Sequence, residues 1–353
     1  MRIWHLVLRP ESLAYAIAKA LSHGGHDVTV CAVKPGFNKK VPDEIERRVG
    51  EIPRVSVVSR VQAEVPPVID RLIVQVFPRP TDTLEAVGPL AKRARSITLV
   101  SAGDRSRSLR DALKVQWLEA KRLGLALRKI DRIVYKDGCY PRDLLGWMAP
   151  RSVVGFDAHS QYLHDPDLYR VIHARDWDPE SPRPIRANFI GSQDPKVRTL
   201  ILDSMRNLFT PHMGGGIGVP HGKSMLWREY SDAVPDALAP RDFVRILSSS
   251  DFTLCPRGYS LVTHRLIEAM LRGSIPVLAK GELDLYGFAL EDGKNCIAVP
   301  SEGWTVAVKR LACMGEGEVV RMRRNIYDMF DRYLNYDALA KRIRSNLGVD
   351  NSN

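Results

Sequence analysis

The chain has 353 residues, with 52 Lys and Arg against 41 Asp and Glu, a formal net charge of +11 at pH 7. That excess favours anionic partners such as nucleotides, phospholipid surfaces or acidic polymers, and the length suits two domains of roughly 150 to 180 residues rather than one core. No stretch approaches the roughly 20 apolar residues of a membrane span, and the five cysteines, Cys31, Cys139, Cys255, Cys296 and Cys313, contain no CxxC pair, which argues against a disulfide framework or a zinc site. Zinc-finger spacing, RNP-like aromatics and a GxxG clamp in context are missing too, so nucleic acid is not an expected partner.

The opening MRIWHLVLRPES reads as a strand and lacks the apolar run of a signal peptide, which predicts a cytoplasmic chain. IWHLVL leads into the helical SLAYAIAKALSHGG, with Ser12 placed to cap it and Gly24-Gly25 to end it. DVTVCAV, VSVVS, LIVQVF, SITLVS, RIVYK and SVVGF follow as short, continuously apolar runs. Strands of that kind are covered on both faces, as in a parallel sheet wound with helices. RDWDPESPRPIR, residues 175–186, holds three prolines among charges and reads as an interdomain linker. A second alternation comes next: RANFIGS, the helix PKVRTLILDSMRNLF with Pro195 near its first turn, DFTLCP, SLVTHRLIEAMLRG, IPVLA and NCIAVP. The expectation is an α/β protein with two Rossmann-like domains facing a cleft, residues 1–180 and 181–330, and a helical C-terminus over 331–353 that could pack back toward the first domain.

The stretch CPRGYSLVTHRLIEAMLRGSIPV, residues 255–277, places charges in what otherwise reads as a buried helix between two strands. On a helix from Ser260 to Arg272, Val262, Leu266, Ala269 and Met270 form a core stripe, and Leu261, Arg265, Glu268 and Arg272 fall beside it. Gly273 would stop the helix. A strand, a loop with Pro256, Arg257 and Gly258, and a helix N-terminus present backbone N–H groups and a positive dipole to a phosphate, and Arg257 and Arg265 would add donors. The same spacing also suits ordinary surface pairs of Glu268 with Arg265 or Arg272, which contribute at most about 1 kcal/mol.

CPRG, then Thr263-x-Arg265-x-x-Glu268-Ala269, then Gly273-x-Ile275-Pro276-Val277 resembles the exostosin-like glycosyltransferases. DFTLCPRG, LDLYGF and KNCIAVPS extend the likeness over residues 185–300, with Thr263 standing for serine and Tyr286-Gly287 for leucine and proline. The resemblance implies a GT-B fold and an inverting transferase of the hexosyl or pentosyl type that takes a nucleoside-diphosphate sugar, UDP-linked first of all, with no cofactor and no metal. It assigns donor binding to Gly191, Arg198, Arg257, Gly258, Thr263, Arg265 and Glu268. Glu268 would accept from ribose hydroxyls, Arg265 and Arg257 would meet the diphosphate, and Gly258 would let backbone amides approach it. Ser260 stands where many retaining GT-B enzymes carry a first glutamate, in keeping with inversion. The acceptor would be a glycan or a lipid-linked sugar, which leaves room for peripheral contact with an anionic membrane at its inner face.

Inverting transfer also requires a base, expected at the carboxyl end of a strand in the first domain: Asp157 or His159 after SVVGF, Asp137 after RIVYK, with Asp104 as a further position. GGGIGVPHGKS is off the P-loop register and reads as a loop near the cleft, with Lys223 as a contact. Asp165-Pro166-Asp167 is a D-x-D only formally, and His159 and His164 are off the spacing of a helical metal pair. RSRSLR, residues 105–110, could receive an anionic acceptor or simply begin a solvated helix. Two other readings remain: another Rossmann-type enzyme, an epimerase or dehydrogenase, although LRPESLAYA lacks GxGxxG, and a non-catalytic glycan or nucleic-acid binding protein on the same fold.

Overall fold

The computed structural model describes residues 1–7, 12–32, 47–58, 65–76, 83–101, 129–135, 151–153, 166–192, 196–209, 222–230, 238–258, 263–286, 289–300 and 303–349. It divides into two units, Met1–His164 with Asp337–Asn353, and Asp165–Tyr336.

In the first unit β1 (Arg2–Val7), α1 (Ser12–His23), β2 (Asp27–Ala32), β3 (Val55–Val58), β4 (Ile69–Val76), α2 (Thr83–Arg93), β5 (Ala94–Ser101), β6 (Ile130–Tyr135) and β7 (Arg151–Val153) build a sheet in the order β3-β2-β1-β4-β5-β6-β7. Every described pairing in it is parallel. The apolar runs are buried as a parallel sheet demands: Leu6, Leu72, Val74, Ile97 and Leu99 are inaccessible and share one core. Gly24-Gly25 does end α1: Gly25 N–H donates to Ser22 O at 2.8 Å and His26 N–H to Leu21 O at 3.3 Å, the paired bonds of a Schellman cap.

The second unit runs α3 (Pro166–His173), β8 (Ile185–Ser192), α4 (Lys196–Phe209), β9 (Ser224–Tyr230), α5 (Pro240–Ser248), β10 (Ser250–Leu254), α6 (His264–Leu271), β11 (Ile275–Ala279), a 3-10 turn (Lys280–Tyr286), β12 (Ile297–Val299), α7 (Trp304–Cys313) and α8 (Glu316–Met329). Its sheet order is β12-β11-β10-β8-β9, again parallel. The first strand, β8, therefore lies between the second and the third, and the connections leave β8 and β10 in opposite directions. That is a topological switch point, where α/β sheets open a crevice beyond the strands' carboxyl ends. Arg183, in the stretch expected as a linker, is buried at 4% exposure. The Trp177 indole in the same stretch donates to Leu271 O at 3.0 Å. The stretch is thus part of the second unit's body, and the division falls earlier, after His164. Trp177 and Arg183 anchor the stretch, while Pro182 and Pro184 are exposed.

After a wide turn over Phe330–Leu334, α9 (Tyr336–Asn346) carries the chain into the first unit. Arg344 Nη1 donates to Ala20 O at 3.2 Å, and Leu347 O accepts from Thr98 Oγ1 at 3.2 Å and Arg71 Nη1 at 3.3 Å. The C-terminal segment is thereby tied to β4, β5 and α1 by hydrogen bonds.

One polar pair sits inside the first sheet. His5 on β1 is fully buried and its Nε2 lies 3.2 Å from Gln75 Oε1 on β4. Burial pushes the imidazole down to about 4, the Gln75 hydrogen bond opposing only in part. The native state therefore holds His5 neutral while an unfolded chain protonates it below about 6.5. Stability carried by this residue is present above pH 6.5 and lost as pH falls toward 4, about 3 kcal/mol in total. Urea denaturation across that window should show a loss in the wild type that His5→Gln lacks.

Candidate functional site

At the switch point the start of α4, the helix that follows β8, meets the loop after β10. Cys255 N–H still donates to Val277 O at 2.8 Å, extending β10 by one residue before the chain turns at Pro256. Arg198, in the first turn of α4 and 7% exposed, reaches across. Its Nε donates to Arg257 O at 3.1 Å and its Nη2 to Pro256 O at 3.2 Å. The guanidinium thus staples the β10 loop by its carbonyls. A Cβ at Gly258 would stand 2.7 Å from Arg198 Nη2, so glycine there is what lets the arginine close on the loop.

The helix after that loop starts later than its hydrophobic period suggests. Thr263 is extended (φ −116, ψ 133) and α6 begins at His264. The reason is tertiary: Thr263 N–H is held by the Tyr286 hydroxyl at 2.9 Å, and Tyr286 is fully buried. Thr263 Oγ1 makes no capping bond. Every residue from Arg265 to Leu271 is buried, including Arg265 at 9% and Glu268 at 3% exposure. The alternative of solvated surface pairs is therefore overturned for Arg265, Glu268 and Arg272, because α6 is covered on all sides. Arg272 is not part of the site; it binds Ser248, Val171 O and Ala174 O and pairs with Asp176 at 2.9 Å.

Arg265 is the centre of the arrangement. Its Cζ lies 5.2 Å from the centroid of Phe189 on β8, a cation–π contact. A Cβ at Gly191 would stand 2.4 Å from its Nη2. Its Nε and Nη1 are buried with no hydrogen-bond partner among the described residues. The surrounding charge registers on Cys255, whose buried thiol is pushed up to about 12, chiefly by desolvation; Arg265 opposes that rise, and Glu268 and Glu282 add to it. One cation and two carboxylates therefore act on the same buried thiol.

Of the positions expected from sequence, Gly191 lies near the end of β8, Arg198 in the first turn of α4, Arg257 and Gly258 on the loop after β10, Thr263 just before α6, and Arg265 and Glu268 on α6. Asp137, Asp157, His159 and Asp104 lie outside the described residues, as do His164, Asp165 and RSRSLR. Lys223 does not join this site. It precedes β9 at the amino end of the sheet, where its Nζ binds Asp251 at 2.6 Å and Glu316 at 2.7 Å. Asp167, in the first turn of α3, is exposed and pairs with Arg170. Glu282, 2% exposed, was missed; its only signal is an acidic residue three positions beyond β11. Among the described residues no group of three or more His, Cys, Asp or Glu is placed to hold a metal, and no helix is long and apolar enough to cross a membrane.

Residues 169–284, which contain all seven of these positions, match the family model described as RXYLT1 C-terminal domain. The exostosin-like resemblance holds over that segment. No curated protein matches the chain. Among solved structures, the N-terminal domain of Candida albicans trehalose-6-phosphate phosphatase superposes with TM-score 0.57 at 11% identity, covering 99% of this chain and 97% of that one. Anabaena Alr3699/HepE in complex with UDP does so with TM-score 0.55 at 13% identity over 99% and 100%. Sucrose-phosphate synthase from Thermosynechococcus elongatus gives TM-score 0.55 at 11% identity over 98% of each chain. At such identities the likeness is one of fold, and the fold is GT-B.

Tyr286→Phe keeps the ring and deletes the acceptor for Thr263 N–H. A buried amide left unpaired should cost about 1 to 3 kcal/mol of stability, read as a lower denaturation midpoint of the second unit.

Proposed function

We propose that the protein is a glycosyltransferase that moves a sugar from a nucleoside diphosphate, UDP by preference, to a glycan or lipid-linked acceptor with inversion. The observation that carries this reading is the enclosed guanidinium of Arg265 at the switch point, pressed against Gly191 and Phe189 with two of its nitrogens unbonded among the described residues. A cation in that state is prepared for an anion that arrives from outside. The family match over residues 169–284 supports a sugar-transfer role for the same segment.

In this reading Arg265 meets the diphosphate and Arg257 adds a second cation from the loop. Glu268 accepts from the ribose hydroxyls. Arg198 holds the loop so that the amides around Gly258 face the phosphate. The leaving nucleoside diphosphate gains negative charge as the glycosidic bond breaks, so cations fixed beforehand lower the barrier more than they tighten binding. These arginines do what a metal does elsewhere, and the base for the acceptor hydroxyl is assigned to Asp157 or His159, with Asp137 as the further candidate. The net charge of +11 supports a cytoplasmic protein in peripheral contact with an anionic membrane that carries the acceptor.

Nucleoside diphosphates should stabilise the protein, by about 2.7 kcal/mol at 100 times Kd. UDP release from a matching donor should fall on the order of 100-fold or more in Arg265→Gln, fall as well in Glu268→Gln, and persist in EDTA. Stabilisation by NAD or single-stranded nucleic acid alone would defeat the transferase reading, and nucleotide binding without turnover in any acceptor screen would favour a glycan-binding protein.

A further inference from the structure

At the other end of the second sheet, beneath the amino termini of β8 and β9, lies a cavity of about 580 Å³ lined by Arg183, Lys223, Arg323, Glu180, Glu316 and Val320. Arg183 stands two residues before β8 and Lys223 immediately before β9, while Glu316, Val320 and Arg323 share one face of α8 by their spacing. The basic side chains are enclosed: Arg183 is 4% and Arg323 1% exposed, and the Lys223 side chain 8%. Arg186 stands fully buried beside them.

The charges do not balance. Arg186 pairs with Asp251 at 3.1 Å and Glu316 at 2.5 Å, Lys223 pairs with the same two carboxylates, and Arg323 Nη1 stands 3.9 Å from Asp251 Oδ1. Among the described residues Arg183 hydrogen-bonds only carbonyls, those of Leu247, Ser250 and Arg272. Four cations thus share two carboxylates. The remaining acids are peripheral: Asp178 acts on Arg323 from an exposed position, and Glu180, 61% exposed, is engaged by Arg324. The Nε atoms of Arg186 and Arg323 are buried with no hydrogen-bond partner among the described residues. Burial, then Arg323 and Arg272 against the pull of Asp251, bring the Arg183 guanidinium down to about 9, so it remains charged at neutral pH.

Enclosed positive charge in excess of its partners is costly unless an anion shares the volume. We propose that this cavity is a second ligand site, taking a small molecule that carries a phosphate monoester. Such a group bears about −1.5 to −2 charge at pH 7 and three acceptor oxygens, which matches the surplus where a monocarboxylate would leave half of it. The volume lies within the range of small-molecule pockets and leaves room for the rest of a metabolite.

Isothermal titration with inorganic phosphate and with glycerol 3-phosphate tests the assignment. Both should saturate one site. Arg323→Gln should weaken binding about tenfold or more, through loss of a charge-assisted donor. Glu180→Gln removes a rim carboxylate without touching the buried network and should tighten binding about threefold; if Arg323→Gln does not fold, this shift decides. Arg265→Gln, at the opposite end of the sheet, should leave the affinity unchanged. Absence of saturable binding, an affinity indifferent to Glu180→Gln, abolition by Arg265→Gln, or equal affinity for malonate would each overturn the proposal.

Discussion

A guanidinium enclosed between an aromatic face and a glycine is the constraint on which the candidate site rests. Taking a cation out of water costs several kcal/mol even after relaxation, and the Phe189 face returns only part of that. The neighbourhood is consequently specified on every side. Gly191 leaves the space that the Arg265 guanidinium occupies, and α6 starts at His264 so that Arg265 falls in its first turn. Tyr286 sets the start of α6 by occupying the Thr263 amide, and Arg198 sets the shape of the preceding loop through two carbonyls.

The two ends of the second sheet solve the same problem differently. Between them the strands are filled by Ala187, Phe189, Phe252, Leu254 and Val277, so charged groups are confined to the strand termini. At the amino end, Asp251 bridges cations from the approach to β9, from β8 and from α8, and the network ties three elements together. At the carboxyl end the Arg265 Nε and Nη1 find no hydrogen-bond partner among the described residues. Breaking the first would leave buried charge stranded.

Much of this was readable before any fold was known. The apolar runs mark β1, β2, β4, β5, β8, β10 and β11 because a strand covered on both faces needs no polar alternation. SMLWREY was not recognised as β9, since at the edge of the sheet it mixes polar and apolar residues and follows a glycine-rich run that reads as loop. The segment 175–186 looked like a linker because proline and charge are common in linkers; its Trp177 and Arg183 are instead seated against the C-terminal carbonyls of α5 and α6. Lys223 looked like a ligand contact from the glycines before it, yet its partners are Asp251 and Glu316.

Strand and helix identities, and the concentration of charge between positions 257 and 268, follow from patterns a few residues long, because periodicity and capping are local properties of the backbone. Whether those charges are solvated or enclosed does not. Arg198 and the carbonyl of Arg257 are 59 positions apart in the chain and meet at 3.1 Å only because β8 and β10 are neighbours in the sheet. Strand order depends on how distant apolar faces pack, and that long-range choice turned an ordinary helical charge pattern into a buried one.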